Sequence, residues 1–258
     1  MGYAPLDLTA KTAVVIGGTS GIGLTIAKGL AQAGANVLPT GRRTELVESA
    51  VADVKKAGGK AIAMRSDVTD RGSLEALRNA AVAEFGAVDI LVNSAGTTKR
   101  TPTLDVSESE WNNILETNLS GTLRACQVFG RHMIERQYGR IVNIASLSSH
   151  LGFYEVAAYA ASKAGVASLT KSLAVEWARQ GVCVNALVPG VFRTNLNAAL
   201  LDGTPRGKEF LTRTPAARFG QLEELVGAAV FLASDAASFV TGHLLAVDGG
   251  FLASGVNQ

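Results

Sequence analysis

Tyr159 and Lys163 stand four residues apart in Tyr159-Ala160-Ala161-Ser162-Lys163, thirteen residues after Ser146 and downstream of a glycine-rich turn at Gly17, Gly21 and Gly23. On a helix, positions i and i+4 share a face, so a phenol and an ammonium here project into the same space. An ammonium beside a phenol favours phenolate. A free Tyr titrates near ~10, and an adjacent opposite charge can lower a pKa by roughly 1 to 3 units. That shift brings the phenol toward the range in which it exchanges protons with an alcohol or ketone, and the combination points to hydride-transfer chemistry. Alone, a Tyr and a Lys at this spacing are more often a packed ring and a solvated stem.

The glycine turn supplies context. Gly17-Gly18-Thr19-Ser20-Gly21-Ile22-Gly23 opens a helix whose free N–H groups and dipole favour an anion, and glycine lets the backbone approach a pyrophosphate with no Cβ in the way. A lone glycine cluster is equally readable as a tight turn of any α/β protein. Its Gly-x-x-x-Gly-x-Gly spacing also differs from the dinucleotide fingerprint Gly-x-Gly-x-x-Gly.

Alternating strands and helices must position these residues. Thr12 to Ile16, Asn36 to Thr40, Lys60 to Arg65, Ile90 to Asn93, Arg140 to Ala145, Cys183 to Val188 and Leu244 to Val247 read as strands, seven short apolar runs. Between them Ile22 to Ala33, Glu45 to Ala57, Ser73 to Phe85, Ser107 to Gln137 and Tyr154 to Gln180 carry helical spacing. The pattern predicts one doubly wound Rossmann-type α/β domain over residues 1–258, its mainly parallel seven-stranded sheet covered by helices on both faces. The loops after Ile16, Thr40, Asn93, Ala145 and Val188 should then converge beyond the carboxyl ends of the strands. Pro39 fits awkwardly, since it removes a ladder donor from an interior strand.

Composition excludes several other classes. The 258 residues are 47% hydrophobic, enough for a sizeable core, without linker, repeat or low-complexity tract. Twenty-four basic and 22 acidic residues leave a formal charge of +2 with no long run of either sign, so no nucleic-acid surface is expected. No apolar run approaches the roughly 18 residues that span a bilayer, and no membrane role is expected. Cys126 and Cys183 lack metal-ligand spacing, so no metal site is expected, and with no leader pattern at the start a cytoplasmic location is the default.

Taken together, the glycine turn, Asn93-Ser94-Ala95-Gly96, Asn118, Ser146, Tyr159-x-x-x-Lys163 and Pro189-Gly190-x-x-x-Thr194 closely resemble the short-chain dehydrogenase/reductase family from about Leu8 to Gly250. Ile16 stands where the family more often has Thr, and Ser94 where Asn is usual. The resemblance implies an enzyme in which Tyr159 is the general acid or base, Lys163 lowers its pKa and binds the nicotinamide ribose, and Ser146 holds the substrate oxygen. Asn118 would anchor a water linking Lys163 to solvent. Gly17, Thr19, Ser20, Gly21, Ile22 and Gly23 would cradle the pyrophosphate. Asp67 and Val68 would bind adenine, Asn93, Ala95 and Gly96 would wall the adenosine ribose, and Pro189, Gly190, Val191 and Thr194 would meet the carboxamide. A homotetramer is implied as well.

Cofactor choice is readable after Thr40. An acidic residue there would bind both ribose hydroxyls and repel a 2′-phosphate, whereas the chain has Gly41, Arg42 and Arg43, favouring NADP(H) with NAD possible. Substrate is harder. The Lys99-Arg100-Thr101-Pro102 stretch and Asp248-Gly249-Gly250-Phe251 are similar to those of gluconate 5-dehydrogenases, which implies a sugar acid or polyol, with Arg100 forking a carboxylate and His150 and Tyr154 beside Ser146 at the substrate. The rival is a 3-oxoacyl-thioester reductase docking acyl carrier protein. That subgroup often carries basic residues where this chain has Gln137 and Gln180, although Arg136 and Arg179 are adjacent. Residues from Asn195 to Arg218 would form the substrate lid. Outside these readings stand a non-catalytic cofactor sensor, which would need only the cofactor half of the site, and a methyltransferase, which would not need Tyr159 and Lys163.

Overall fold

The computed structural model describes residues 3–194 and 197–255. Among them, strands β1 (Thr12–Ile16), β2 (Asn36–Thr40), β3 (Ile90–Asn93), β4 (Gly139–Ile144), β5 (Val182–Pro189) and β6 (Leu244–Val247) form one sheet in the order β2-β1-β3-β4-β5-β6. Every pairing is parallel. The connecting helices are α1 (Gly21–Gln32), α2 (Thr44–Lys56), α3 (Arg71–Phe85), α4 (Glu108–Leu115), α5 (Gly121–Glu135), α6 (Ala157–Trp177), α7 (Ala198–Leu201), α8 (Pro205–Arg213) and α9 (Val226–Ala233).

Each strand sends alternate side chains to opposite faces. Ala13 and Val15 of β1 join a core with Ile26 and Leu30 of α1, Val54 of α2 and Leu232 of α9. Val14 and Ile16 join another with Leu77 of α3, Phe129 and Met133 of α5 and Leu173 of α6. Two-sided burial explains why the strands read as unbroken apolar runs.

The sheet has six strands where the sequence predicts seven, and Pro39 supplies the physical reason. Amides of β2 alternate in direction, Asn36 donating to the Lys11 carbonyl toward β1 and Val37 to the Lys60 carbonyl on the outer side, at 2.9 and 2.8 Å. By that alternation position 39 should donate outward, where proline has no N–H. The β1–β2 ladder is untouched, with Val15 opposite Pro39, while residues 60–66 follow β2 without completing a ladder. Ser66 N–H still donates to the Gly41 carbonyl at 3.0 Å, and the Thr40 hydroxyl reaches the Met64 carbonyl at 2.5 Å.

β1 has β2 on one side and β3 on the other, so the order of connection reverses at β1. Such a reversal opens a crevice beyond the carboxyl ends of the strands. The loops after β1, β2, β3, β4 and β5 all leave at that edge.

Candidate active site

Close backbone approach fixes the first two of these loops. Gly17 has φ of +77°, and a Cβ there would lie 2.5 Å from the Ala95 nitrogen; one on Gly23 would lie 2.1 Å from the Gly17 carbonyl oxygen. Glycine is required at both positions for the turn after β1 to seat against the loop after β3. Ser20 precedes α1 in extended conformation and does not cap it through its side chain, which leaves first-turn amides for an anion. Thr19 lies beside Gly41, where a Cβ would meet its Cγ2 at 3.1 Å.

Asn118 is set by an irregularity. α4 and α5 are joined through a π-helical turn over Glu116–Ser120, an insertion that widens the helix and often marks functional sites. The turn buries Asn118 completely, and its carbonyl accepts the Thr122 hydroxyl at 2.8 Å. Its side chain clamps Thr97, accepting from the amide at 2.8 Å and donating to the carbonyl at 2.9 Å. Asn118 Nδ2 also donates to Ser162 Oγ at 3.0 Å, and Ser162 Oγ donates to the Tyr159 carbonyl at 2.7 Å. Asn118 thus ties the loop after β3 to α6. A Cβ on Gly96 would lie 3.4 Å from Asn118 Oδ1 and 3.7 Å from Lys163 Nζ, so both side chains border that glycine.

Ser146, at the end of β4, accepts the Ser148 amide at 3.2 Å and hydrogen-bonds the Tyr159 phenol. One turn further along α6, Lys163 is 5% exposed; its ammonium donates to the Ile144 carbonyl at 2.7 Å and lies 5.8 Å from the centre of the Tyr159 ring. The electrostatics differ from the expectation of a phenol lowered by its lysine. Burial pushes the Tyr159 phenol above its ordinary value, with the Ser146 bond opposing. Burial also brings Lys163 down to about 8. The ammonium spends its short hydrogen bond on β4, and loss of water dominates the phenol. Tyr159 is therefore a proton donor at neutral pH, the form that reduction of a ketone requires.

A buried relay fixes the orientation of α6 beneath these groups. Asn93 Nδ2 donates to Asn143 Oδ1 at 2.8 Å, and Asn143 Nδ2 to Thr170 Oγ1 at 2.9 Å. The Asn93 amide nitrogen is thus committed inside the sheet, while its Oδ1 is buried without a partner.

Charge collects beyond the end of β2. Arg42 and Arg43 are exposed between β2 and α2. Burial pushes the Asp67 carboxyl up, but bonds from the Thr69 amide and hydroxyl and the charges of Arg42 and Arg65 outweigh it, and the group lies below the usual carboxylate value. Val68 is buried, and Arg124 of α5 holds its carbonyl. Beyond the sheet's other half, Pro189 closes β5 and the Gly190 amide donates to the Val247 carbonyl at 2.9 Å. Gly190 and Val191 line a cavity of about 90 Å³ with Thr214 and Asp248. The Thr194 amide donates to Asn197 Oδ1 at 2.7 Å.

Of the residues expected to meet substrate, Arg100 pairs with Glu155 at 2.6 Å, and its neighbour Lys99 with Glu110 at 2.6 Å. His150 and Tyr154 are exposed on the loop between β4 and α6. Of the expected lid, Asn195 and Leu196 lie outside the described residues. Within the same segment, α8 packs Phe210 against Phe153 and Phe251, with ring centres 5.7 and 6.2 Å apart, so α8 rests on the loop that leads to Tyr159. Sequence reasoning missed Glu155, Ser162, Phe153 and Arg65. Ser162 lay inside the Tyr-Lys motif, and Arg65 lay at the end of a strand-like run beside Arg42, so both carried a signal. Glu155 carried none, being 55 positions from its partner.

Comparison with known proteins agrees with this geometry. A family model described as "Enoyl-(Acyl carrier protein) reductase" matches residues 17–252. The chain belongs to the short-chain dehydrogenase/reductase family. It is 42% identical to a gluconate 5-dehydrogenase of Gluconobacter oxydans, over 96% of this chain and 97% of that protein. Identity to a 5-keto-D-gluconate 5-reductase of Escherichia coli is 39%, over 95% and 97%. A gluconate 5-dehydrogenase of Burkholderia cenocepacia, solved in complex with NADP and tartrate, superimposes with a TM-score of 0.93 at 40% identity, covering 97% of this chain and 98% of that one. No helix among the described residues is long and apolar enough to cross a membrane.

Proposed function

We propose that this chain is an NADP(H)-dependent oxidoreductase that interconverts a secondary alcohol of a sugar acid with its ketone, with gluconate and 5-ketogluconate as the leading pair. The observation that carries the reading is the meeting of Ser146, Tyr159, Lys163 and Asn118 at one edge of the sheet, beside a glycine turn that admits a pyrophosphate. The sugar acid follows from the names of the relatives.

The residues fit the cofactor. Gly17 to Gly23 leave room for a phosphate backbone, Asp67 and Val68 border the adenine side, Ala95 and Gly96 the ribose, and Gly190, Val191 and Thr194 the carboxamide. When bound, the nicotinamide accepts or delivers the hydride. Ser146 orients the substrate oxygen and Tyr159 hands it a proton in reduction or removes one in oxidation. Lys163, mostly an ammonium at pH 7 with its value near 8, supplies positive charge behind the phenol as that proton leaves. Asn118 holds the loop of Thr97 and, through Ser162, the first turn of α6. Arg100 binds the substrate carboxylate, and the segment up to Arg218 closes over it from one domain spanning the chain.

A second reading, a thioester reductase docking acyl carrier protein, draws on the description of the matching family model. Against it, Arg136 is committed to Asp89 at 3.1 Å, and Gln137 and Gln180 carry no charge for an acidic partner. A homotetramer in the cytoplasm belongs to the proposal; exposed Trp111, Leu123 and Val175 on α4, α5 and α6 support burial between subunits. Light scattering tests the assembly. For the reaction, absorbance at the nicotinamide band with gluconate, polyols, 5-ketogluconate and an oxoacyl thioester separates the readings. Turnover of the thioester alone would overturn the sugar-acid assignment, and cofactor binding without turnover of any substrate would favour a sensor.

A further inference from the structure

Arg65 sits at the end of the segment that runs outside β2, pinned on both flanks. The Met64 carbonyl accepts the Thr40 hydroxyl, which lies 2.9 Å from Ser66 Oγ, and the Ser66 amide donates to the Gly41 carbonyl at 3.0 Å. Between these bonds Arg65 Nε donates to the Arg42 carbonyl at 2.8 Å. Arg65 is exposed, and among the described residues no acceptor holds its two Nη groups.

We infer that Arg65 is a selectivity residue for the 2′-phosphate of the cofactor, acting as a positioning residue that fixes the main chain of Arg42 while its free Nη groups add a third positive charge to those of Arg42 and Arg43. This rests on the NADP(H) reading above. A 2′-phosphate is a dianion with three acceptor oxygens, whereas the corresponding group of NAD(H) is a neutral hydroxyl. A guanidinium presents five donors in a fixed fork. With Nε committed to the Arg42 carbonyl, the Nη edge is left for an acceptor at the mouth. Asp67 is the acidic group of this corner and feels both Arg42 and Arg65, so two cations act on one carboxylate, and Arg43 is the next residue in the chain after Arg42. That imbalance is filled by a phosphate and not by a hydroxyl.

The test compares wild type with Arg65→Ala, Arg65→Gln, Arg42→Ala and the double variant Arg42→Ala/Arg65→Ala. Two readouts are taken: kcat/KM for NADPH and NADH, and calorimetric affinity for 2′,5′-ADP against 5′-AMP without substrate. Arg65→Ala should weaken 2′,5′-ADP and raise the KM for NADPH roughly tenfold, the scale of one charge-assisted hydrogen bond. Values for 5′-AMP, NADH and kcat should stay within about twofold, the span of ordinary surface substitutions. Because Arg65 acts partly through Arg42, the double variant should lose less than the product of the single losses. Arg65→Gln keeps a donor for the Arg42 carbonyl but no charge, should fall between wild type and Ala, and stands in if the Ala variant folds poorly. Equal losses with both cofactors, or no change in either ratio, would overturn the inference. A wild type that binds 5′-AMP as tightly as 2′,5′-ADP and prefers NADH would instead overturn the NADP(H) reading itself.

Discussion

Arg100 Nε and Glu155 Oε2 meet at 2.6 Å, so the guanidinium expected to bind a substrate carboxylate already holds a carboxylate of its own chain. Glu155 also accepts the Thr101 amide on its carbonyl at 2.9 Å and has φ of +62°, a left-handed conformation costly for a side chain with a Cβ and commonest where function demands it. The pair joins the loop after β3 to the loop before Tyr159. If Arg100 binds the substrate as proposed, a sugar acid must exchange with Glu155 for the same donors. Arg100→Ala is expected to lower kcat/KM for the acid ten- to a hundredfold, at about 1.4 kcal/mol per tenfold, and to spare a neutral polyol. Glu155→Gln should lower the KM for the acid. Lys99→Ala, which frees only Glu110, is the control. Equal losses on acid and polyol would return Arg100 to a structural role.

Tyr159→Phe removes the proton donor while keeping the ring. Turnover should fall by about 10² to 10⁴, with cofactor affinity, read by fluorescence titration, nearly unchanged. In wild type the oxidative rate should rise with pH as the phenol ionises, and the raised phenol value keeps the reductive rate level through neutrality. A Phe variant with near wild-type turnover would end the assignment.

Lys163 makes stability depend on pH with a definite sign. Its value falls from 10.5 to about 8 on folding through burial, so between those limits the unfolded chain holds a proton that the folded chain lacks. Stability then rises with pH across this window, by on the order of 3 kcal/mol in full, and is flat in this contribution below pH 8, where both states are protonated. Thermal melts of wild type and Lys163→Met from pH 7 to 10 should show wild type gaining on the variant as pH rises. Parallel curves would contradict it.

Arg42→Ala combined with Gly41→Asp should invert the kcat/KM ratio for NADPH over NADH. A Cβ at position 41 comes within 3.1 Å of Thr19 Cγ2, so adding Thr19→Ser is expected to improve NADH use further. If wild type already favours NADH, Arg42 and Arg43 do not read the phosphate.

Much of this was legible in the sequence because it is written in local pattern. The runs Thr12–Ile16 and Ile90–Asn93 are apolar on both faces, and the glycines at 17 and 23 stand where side chains would collide. What escaped was set by partners far apart in the chain. The third predicted strand failed because Pro39 points its missing donor outward, a direction that only the β1 pairing decides. The lowered phenol failed because Lys163 turns to Ile144, a contact between α6 and β4 that helical spacing cannot see. Glu155 was invisible because nothing near it in sequence announces Arg100.

The π-helical turn at Glu116–Ser120 carries a consequence for how this chain tolerates changes in length. It accommodates one residue more than a regular helix would, and the widened turn absorbs that surplus locally, so α4 and α5 stay in phase with one another. Removing a single residue there would restore regular α geometry and leave Phe129 and Met133, both fully buried, facing the sheet, while the position of Asn118 would lose the bulge that aims its side chain at Thr97. A second insertion, with no further bulge to absorb it, would instead turn the following helix by about 100°. A one-residue deletion between Leu115 and Gly121 should therefore spare folding and remove turnover, even though the sequence around it reads as an ordinary amphipathic helix.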